Sequence, residues 1–105
     1  MAIFRGPRRS IPTKPGEERV TLLREVASTL GCDLSQLDPS ASMTKRYGVD
    51  ELEIFEYMQI AEDIWHVELN PDPMTVADFA EMMTHFRTLE SIIAAAEAAA
   101  RGAGN

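Results

Sequence analysis

The chain is short of several things, and each absence narrows what it can be. It has one cysteine, Cys32, so no intrachain disulfide can form and a reducing, cytoplasmic location is expected. Basic residues are outnumbered, with 10 Lys and Arg against 17 Asp and Glu, which leaves a net charge of −7. Phosphate binding needs a basic face, so nucleic acid is not an expected partner. The longest apolar run, residues 92–96, is far too short to cross a bilayer. The basic N-terminus lacks the apolar stretch of a secretion signal. Stable membrane insertion is therefore not expected either. No phosphate-cradling glycine loop or Walker-type motif occurs. His66 and His85 have no ligand spacing to Cys32 or to each other, and no Glu-x-x-His pair is present, so no metal site is predicted. With no catalytic set in view, the protein is not expected to be an enzyme.

What is present reads as one small all-α domain. A length of 105 residues supports a single core, and 45% hydrophobic residues is ordinary for a globular chain. Residues 1–16 form a basic arm (Arg5, Arg8, Arg9, Lys14) broken by Pro7, Pro12 and Pro15, and it is expected to be flexible. The first predicted helix covers residues 17–30, where Val20, Leu23, Val26, Ala27 and Leu30 make one apolar stripe. Gly31 is a natural residue to stop it. Residues 32–49 read as a loop anchored by Leu34 and Leu37, with a turn at Asp38-Pro39-Ser40. A loop that long is expected only if it packs as an ordered unit.

The second predicted helix covers residues 50–66. Asp50 is a good N-cap and Glu53 completes an Asp-x-x-Glu capping pattern. Leu52, Phe55, Met58, Ile60 and Ala61 are placed on its inner face. Asn70-Pro71-Asp72-Pro73 breaks the chain. A third, long helix then opens at Met74 or Thr75 and runs through Val76, Phe79, Met82, Met83, Phe86, Leu89, Ile92 and Ile93 into an alanine-rich tail ended by Arg101-Gly102. No strand is predicted. The expected organisation is the arm at 1–16, a helical domain at 17–84 and a helical extension at 85–105.

Five short segments in order resemble the acyl carrier protein family over most of the chain. They are Leu30-Gly31-Cys32-Asp33, Ala41-Ser42-Met43, Gly48-Val49-Asp50-Glu51-Leu52-Glu53, residues 62–69 and Thr75-Val76-Ala77-Asp78-Phe79. They are similar to the family's Leu-Gly-Val, Ala-Ser-Phe, Gly-Ala-Asp-Ser-Leu-Asp, Glu-Glu-Glu-Phe-Gly-Ile-Glu-Ile and the Thr-Val of its last helix. The resemblance implies an acyl-carrier-like bundle of three main helices with helix III short or missing and the last helix extended. The family attaches phosphopantetheine to the serine of Asp-Ser-Leu. Here that position is Glu51, and a carboxylate is not the hydroxyl nucleophile that forms the phosphodiester. The resemblance thus implies a carrier-like module without its cofactor.

Two further departures bear on partners. Lys45-Arg46 stands where the family usually has acids, and residues 69–75 are too few for the usual helix III. From Asp50 to Glu68 there are seven acids and no Lys or Arg, a run that is usually a solvated face but also suits docking to a basic surface. The candidate docking residues are Asp50, Glu51, Leu52, Glu53, Glu56 and Met58. Their partners would be basic surfaces of carrier-dependent or related enzymes. Glu51 would also set a fixed negative charge where the modified family members carry a phosphate. Two other readings stand beside this one. The first is a working carrier in fatty-acid, lipid or polyketide synthesis whose arm sits elsewhere, with Ser40, Ser42 and Thr44 the nearest hydroxyls. The second is a homo-oligomer built through the C-terminal helix.

Overall fold

In the computed structural model, residues 2–3, 11–70 and 74–103 are described, and they are mostly helical. The helices are α1 (Glu18–Leu30), α2 (Met43–Tyr47), α3 (Glu51–Trp65), α4 (Val76–His85) and α5 (Leu89–Ala103), with a single 3-10 turn at Leu34–Gln36. Two short strands, β1 (Ala2–Ile3) and β2 (Met74–Thr75), pair antiparallel, with Ala2 opposite Thr75. This ribbon corrects the expectation that no strand forms. Residues 4–10, which hold Arg5, Arg8 and Arg9, lie outside the described residues. Ile11 packs against the core, and Pro15-Gly16 sits in a turn closed by Glu17 N–H on the Lys14 carbonyl at 3.0 Å. Gly16 takes φ 88°, which glycine tolerates without a Cβ clash.

Helix α1 ends as its sequence predicts. Gly31 adopts φ 71°, its N–H meets the Ser28 carbonyl, and the Cys32 N–H meets the Ala27 carbonyl at 3.0 Å. That pair of bonds satisfies carbonyls the helix end would otherwise orphan. The inward face is rotated from the predicted stripe: Leu22, Val26 and Ala27 are buried, whereas Val20 is only half-buried. Helix α3 is the central element and packs against both α1 and α5. Tyr57, Met58, Ala61 and Ile64 are buried along it.

The predicted third helix is two helices. Helix α4 stops at Phe86, and α5 begins afresh where the Thr88 hydroxyl accepts the Ser91 N–H at 3.1 Å. The apolar spacing runs on through this break, so periodicity alone could not reveal it. Leu89, Ile92, Ile93 and Ala96 are fully or almost fully buried, so α5 is part of the core rather than an extension. The same burial takes those side chains away from any oligomer interface built on the C-terminal helix. Arg19 of α1 forms a two-pronged ion pair with Glu90 of α5, with Nη1 donating to Oε2 at 2.9 Å.

The loop between α1 and α3 packs as an ordered unit. Leu37, Met43 and Val49 plug it into the core. The Tyr47 hydroxyl accepts the Asp38 N–H at 2.6 Å and donates to the Gln36 carbonyl at 3.4 Å. Two backbone bonds then tie the loop to the α4–α5 joint. Met43 N–H donates to the Arg87 carbonyl at 2.9 Å, and Glu90 N–H donates to the Pro39 carbonyl at 2.9 Å. Each satisfies an N–H in the first turn of a helix, which has no partner within its own helix.

Candidate functional site

The start of α3 is built by three adjacent residues. Gly48 turns the chain out of α2 at φ 66°, buried Val49 anchors it, and Asp50 caps α3 by accepting the Glu53 N–H at 2.8 Å. Half of the predicted capping box is therefore made. Among the described residues, the Glu53 carboxylate does not return the bond to Asp50. The result is a rigid pedestal that presents Glu51 at the N-terminal end of a 15-residue helix, where backbone dipoles favour a negative charge.

Beside this pedestal lies a groove of about 500 Å³ between α2, the first turns of α3, and α4. Ile54, Phe79 and Met83 form its apolar floor, with Val76 at the edge. Phe79 holds α4 against α3 through an edge-to-face contact with Phe55, ring centroids 5.7 Å apart. Glu51, Lys45 and Arg87 are exposed charges on the rim, and Ser42 and Thr44 add hydroxyls. Among the described residues none of the three rim charges forms an ion pair. The groove thus offers an apolar slot with two cations and one carboxylate free to engage a partner.

The predicted docking residues are divided by this arrangement. A helix turns about 100° per residue, at 3.6 residues per turn. Leu52 and Glu56 consequently lie on the outward stripe of α3, while Glu51 turns toward the groove. Leu52 is 62% exposed, which corrects its expected place on the inner face and keeps it in the docking set. Asp50 and Glu56 are exposed and Glu53 is half-buried. Met58 is a correction to that set: it is fully buried in the core and cannot touch a partner. Its position, one residue past Tyr57 and four past Ile54, puts it on the inward face that those buried neighbours define.

The run of seven acids is likewise not one solvated face. Glu62 is 2% exposed, and its Oε2 accepts the Leu69 N–H at 2.7 Å. It pins the chain leaving α3, where His66 takes the left-handed conformation at φ 56°. Asp63 and Glu68 also engage intramolecular partners. The open acidic surface is therefore concentrated at the first two turns of α3. Tyr57 lies beneath this acidic tip. Its hydroxyl is buried without a hydrogen-bond partner among the described residues. Burial first, then the carboxylates of Glu53, Glu56 and Asp50 and the Cys32 thiol, push its ionisation up to about 12.

Val76, Phe79, Met83 and Arg87 are the site residues that sequence reasoning missed. As members of one continuous helix the first three read as core, and Arg87 carried no signal. Val76 is in fact 54% exposed. The available signal was Thr75-x-x-Asp78, a capping box that fixes where α4 starts and hence which face meets α3. Among the described residues no group of three or more His, Cys, Asp and Glu side chains is placed to hold a metal ion. Comparison with protein-family models, curated proteins and solved structures gives no match to this chain.

Proposed function

We propose that this protein is an acyl-carrier-like, non-enzymatic interaction module that carries no phosphopantetheine and docks basic partner surfaces through the N-terminal tip of α3. The observation that carries the reading is Glu51: an exposed carboxylate without an ion pair among the described residues, held at a helix start by Gly48, Val49 and the Asp50 cap. That is where the resembling family has its modified serine. Glu51 sets a permanent negative charge at a spot where such a partner would meet a phosphate. Asp50, Glu53, Glu56 and the exposed Leu52 complete the surface, with acids for steering and one apolar side chain for contact. The left-handed positions at Gly31 and His66 add support, since they fall at or beside glycines of the family's quoted segments. Exposed charges of this kind act chiefly on association rate, so binding is expected to weaken with salt.

The test is intact mass after incubation with a phosphopantetheinyl transferase and coenzyme A, for the wild type and for Glu51→Ser. The expected result is that only Glu51→Ser gains the arm. Gain by the wild type would instead make it a working carrier, with Ser40, Ser42 and Thr44 the first residues to map. If neither gains it while Glu51→Ser retains its helical circular dichroism, the carrier reading is overturned.

A further inference from the structure

We infer that the protein self-associates as a two-fold dimer in which Leu52 of each copy enters the groove of the other. This goes beyond the docking role above and stands independently of any carrier ancestry. Among the described residues Leu52 and Val76 are the most exposed large apolar side chains, at 62% and 54%. Leu52 is a knob flanked by carboxylates, with Glu51 and Glu53 on either side and Glu56 one turn on. The groove is a hole with an apolar floor and a rim that is basic on balance, with Lys45 and Arg87 against Glu51, and among the described residues neither cation is ion-paired. Acid-flanked knob and base-rimmed hole are complementary in shape class and charge, and both belong to the same chain.

Their placement also suits closure. A two-fold interface needs the inserting patch and the receiving patch to be contiguous, because the same surface serves in both roles. Leu52 directly follows Glu51, which lines the groove, so the two patches share a border. In the dimer, Glu56 of one copy faces Arg87 of the other, twice by symmetry. The contact is only a few side chains wide, below the size of a stable obligate interface, and the net charge of −7 opposes it. The association is therefore weak and concentration-dependent, and it covers the tip of α3, so it competes with partner docking.

Sedimentation equilibrium from micromolar to millimolar protein tests this. The wild type is expected to shift from monomer to dimer across that range. Leu52→Asp, an exposed change that leaves the fold intact, is expected to weaken the dimer by about thirtyfold or more, the scale of a central interface residue. Arg87→Glu and Glu56→Arg are each expected to be monomeric alone and to associate when mixed, because each restores the other's opposite charge. A wild type that stays monomeric at millimolar concentration overturns the proposal. So does a dimer unaffected by Leu52→Asp, or a mixture of the two charge variants that stays monomeric. Arm attachment does not enter these readouts, so failure here is separate from failure of the carrier reading.

Discussion

Replacing Ile92 by alanine tests whether α5 is core or appendage. Ile92 is fully buried and sits in the helix that packs on α3. The change removes three side-chain carbons, worth about 2 to 2.5 kcal/mol of transfer free energy at ~0.8 kcal/mol per buried carbon. The cavity left between α5 and α3 adds to that, so the expected loss is about 3 to 4 kcal/mol. For a domain whose total stability is on the order of 5 to 15 kcal/mol, such a loss is a large fraction. Trp65 is the only tryptophan and lies half-buried at the end of α3, so its fluorescence reports the urea transition. The midpoint should fall sharply with little change in slope. Glu97→Ala, on the exposed face of the same helix, should stay within about 0.5 kcal/mol of wild type. A loss for Ile92→Ala below about 1 kcal/mol would refute the packing argument. So would a chain ending at residue 84 that still shows a cooperative, native-like transition.

Tyr57→Phe removes a buried hydroxyl that has no partner among the described residues, so urea unfolding should show a neutral to stabilising change of up to about 2 kcal/mol. Because burial raises the folded-state ionisation of Tyr57 to about 12, wild-type stability should fall as pH rises from about 10 through that value, and Tyr57→Phe should flatten the fall. Glu62→Ala removes the buried acceptor of the Leu69 N–H, and a loss of about 1 to 3 kcal/mol is expected in the same assay. His66→Gly relieves a left-handed residue at an exposed helix end and should raise stability by about 0.5 to 1 kcal/mol; a decrease would contradict the strain argument. The Arg19 guanidinium holds the Glu90 carboxyl below its ordinary range, and bonds from Thr75 do the same for Asp78. Both depressed groups add stability above the ordinary carboxylate range that is lost as pH falls through and below it, and Arg19→Gln should abolish the Glu90 share in an acid titration.

Local stop and start signals were the legible part of this chain. Gly31, Asp50, Thr75 and the α3 boundaries were all readable, because each depends on a few adjacent atoms. The predominantly helical class followed from apolar spacing. What could not be read depends on neighbours distant in sequence. The break at residues 86–88 is braced by the Met43–Arg87 backbone bond; its local sign is Thr88, whose hydroxyl caps α5, but the apolar spacing runs on through it. The pairing of Ala2–Ile3 with Met74–Thr75 is a long-range contact of the same kind. Leu52 and Met58 show the limit of periodicity at the site itself. Six residues apart, they stand about 120° from each other around the helix, and the neighbouring helices cover only the side that holds Met58, leaving Leu52 exposed. Glu62 looked like one more solvated acid because its partner is a main-chain N–H, which no side-chain pattern encodes.

The bond from Met43 N–H to the Arg87 carbonyl has a mechanical consequence. Met43 opens the helix that supplies Ser42, Thr44 and Lys45 to one wall of the groove, and Arg87 belongs to the opposite wall. The two walls are therefore joined by a main-chain bond of 2.9 Å, and parting them at that point would break it. A clamped slot selects by fit rather than by adapting to its guest. It loses little conformational freedom on filling, and an oversized side chain is turned away instead of accommodated.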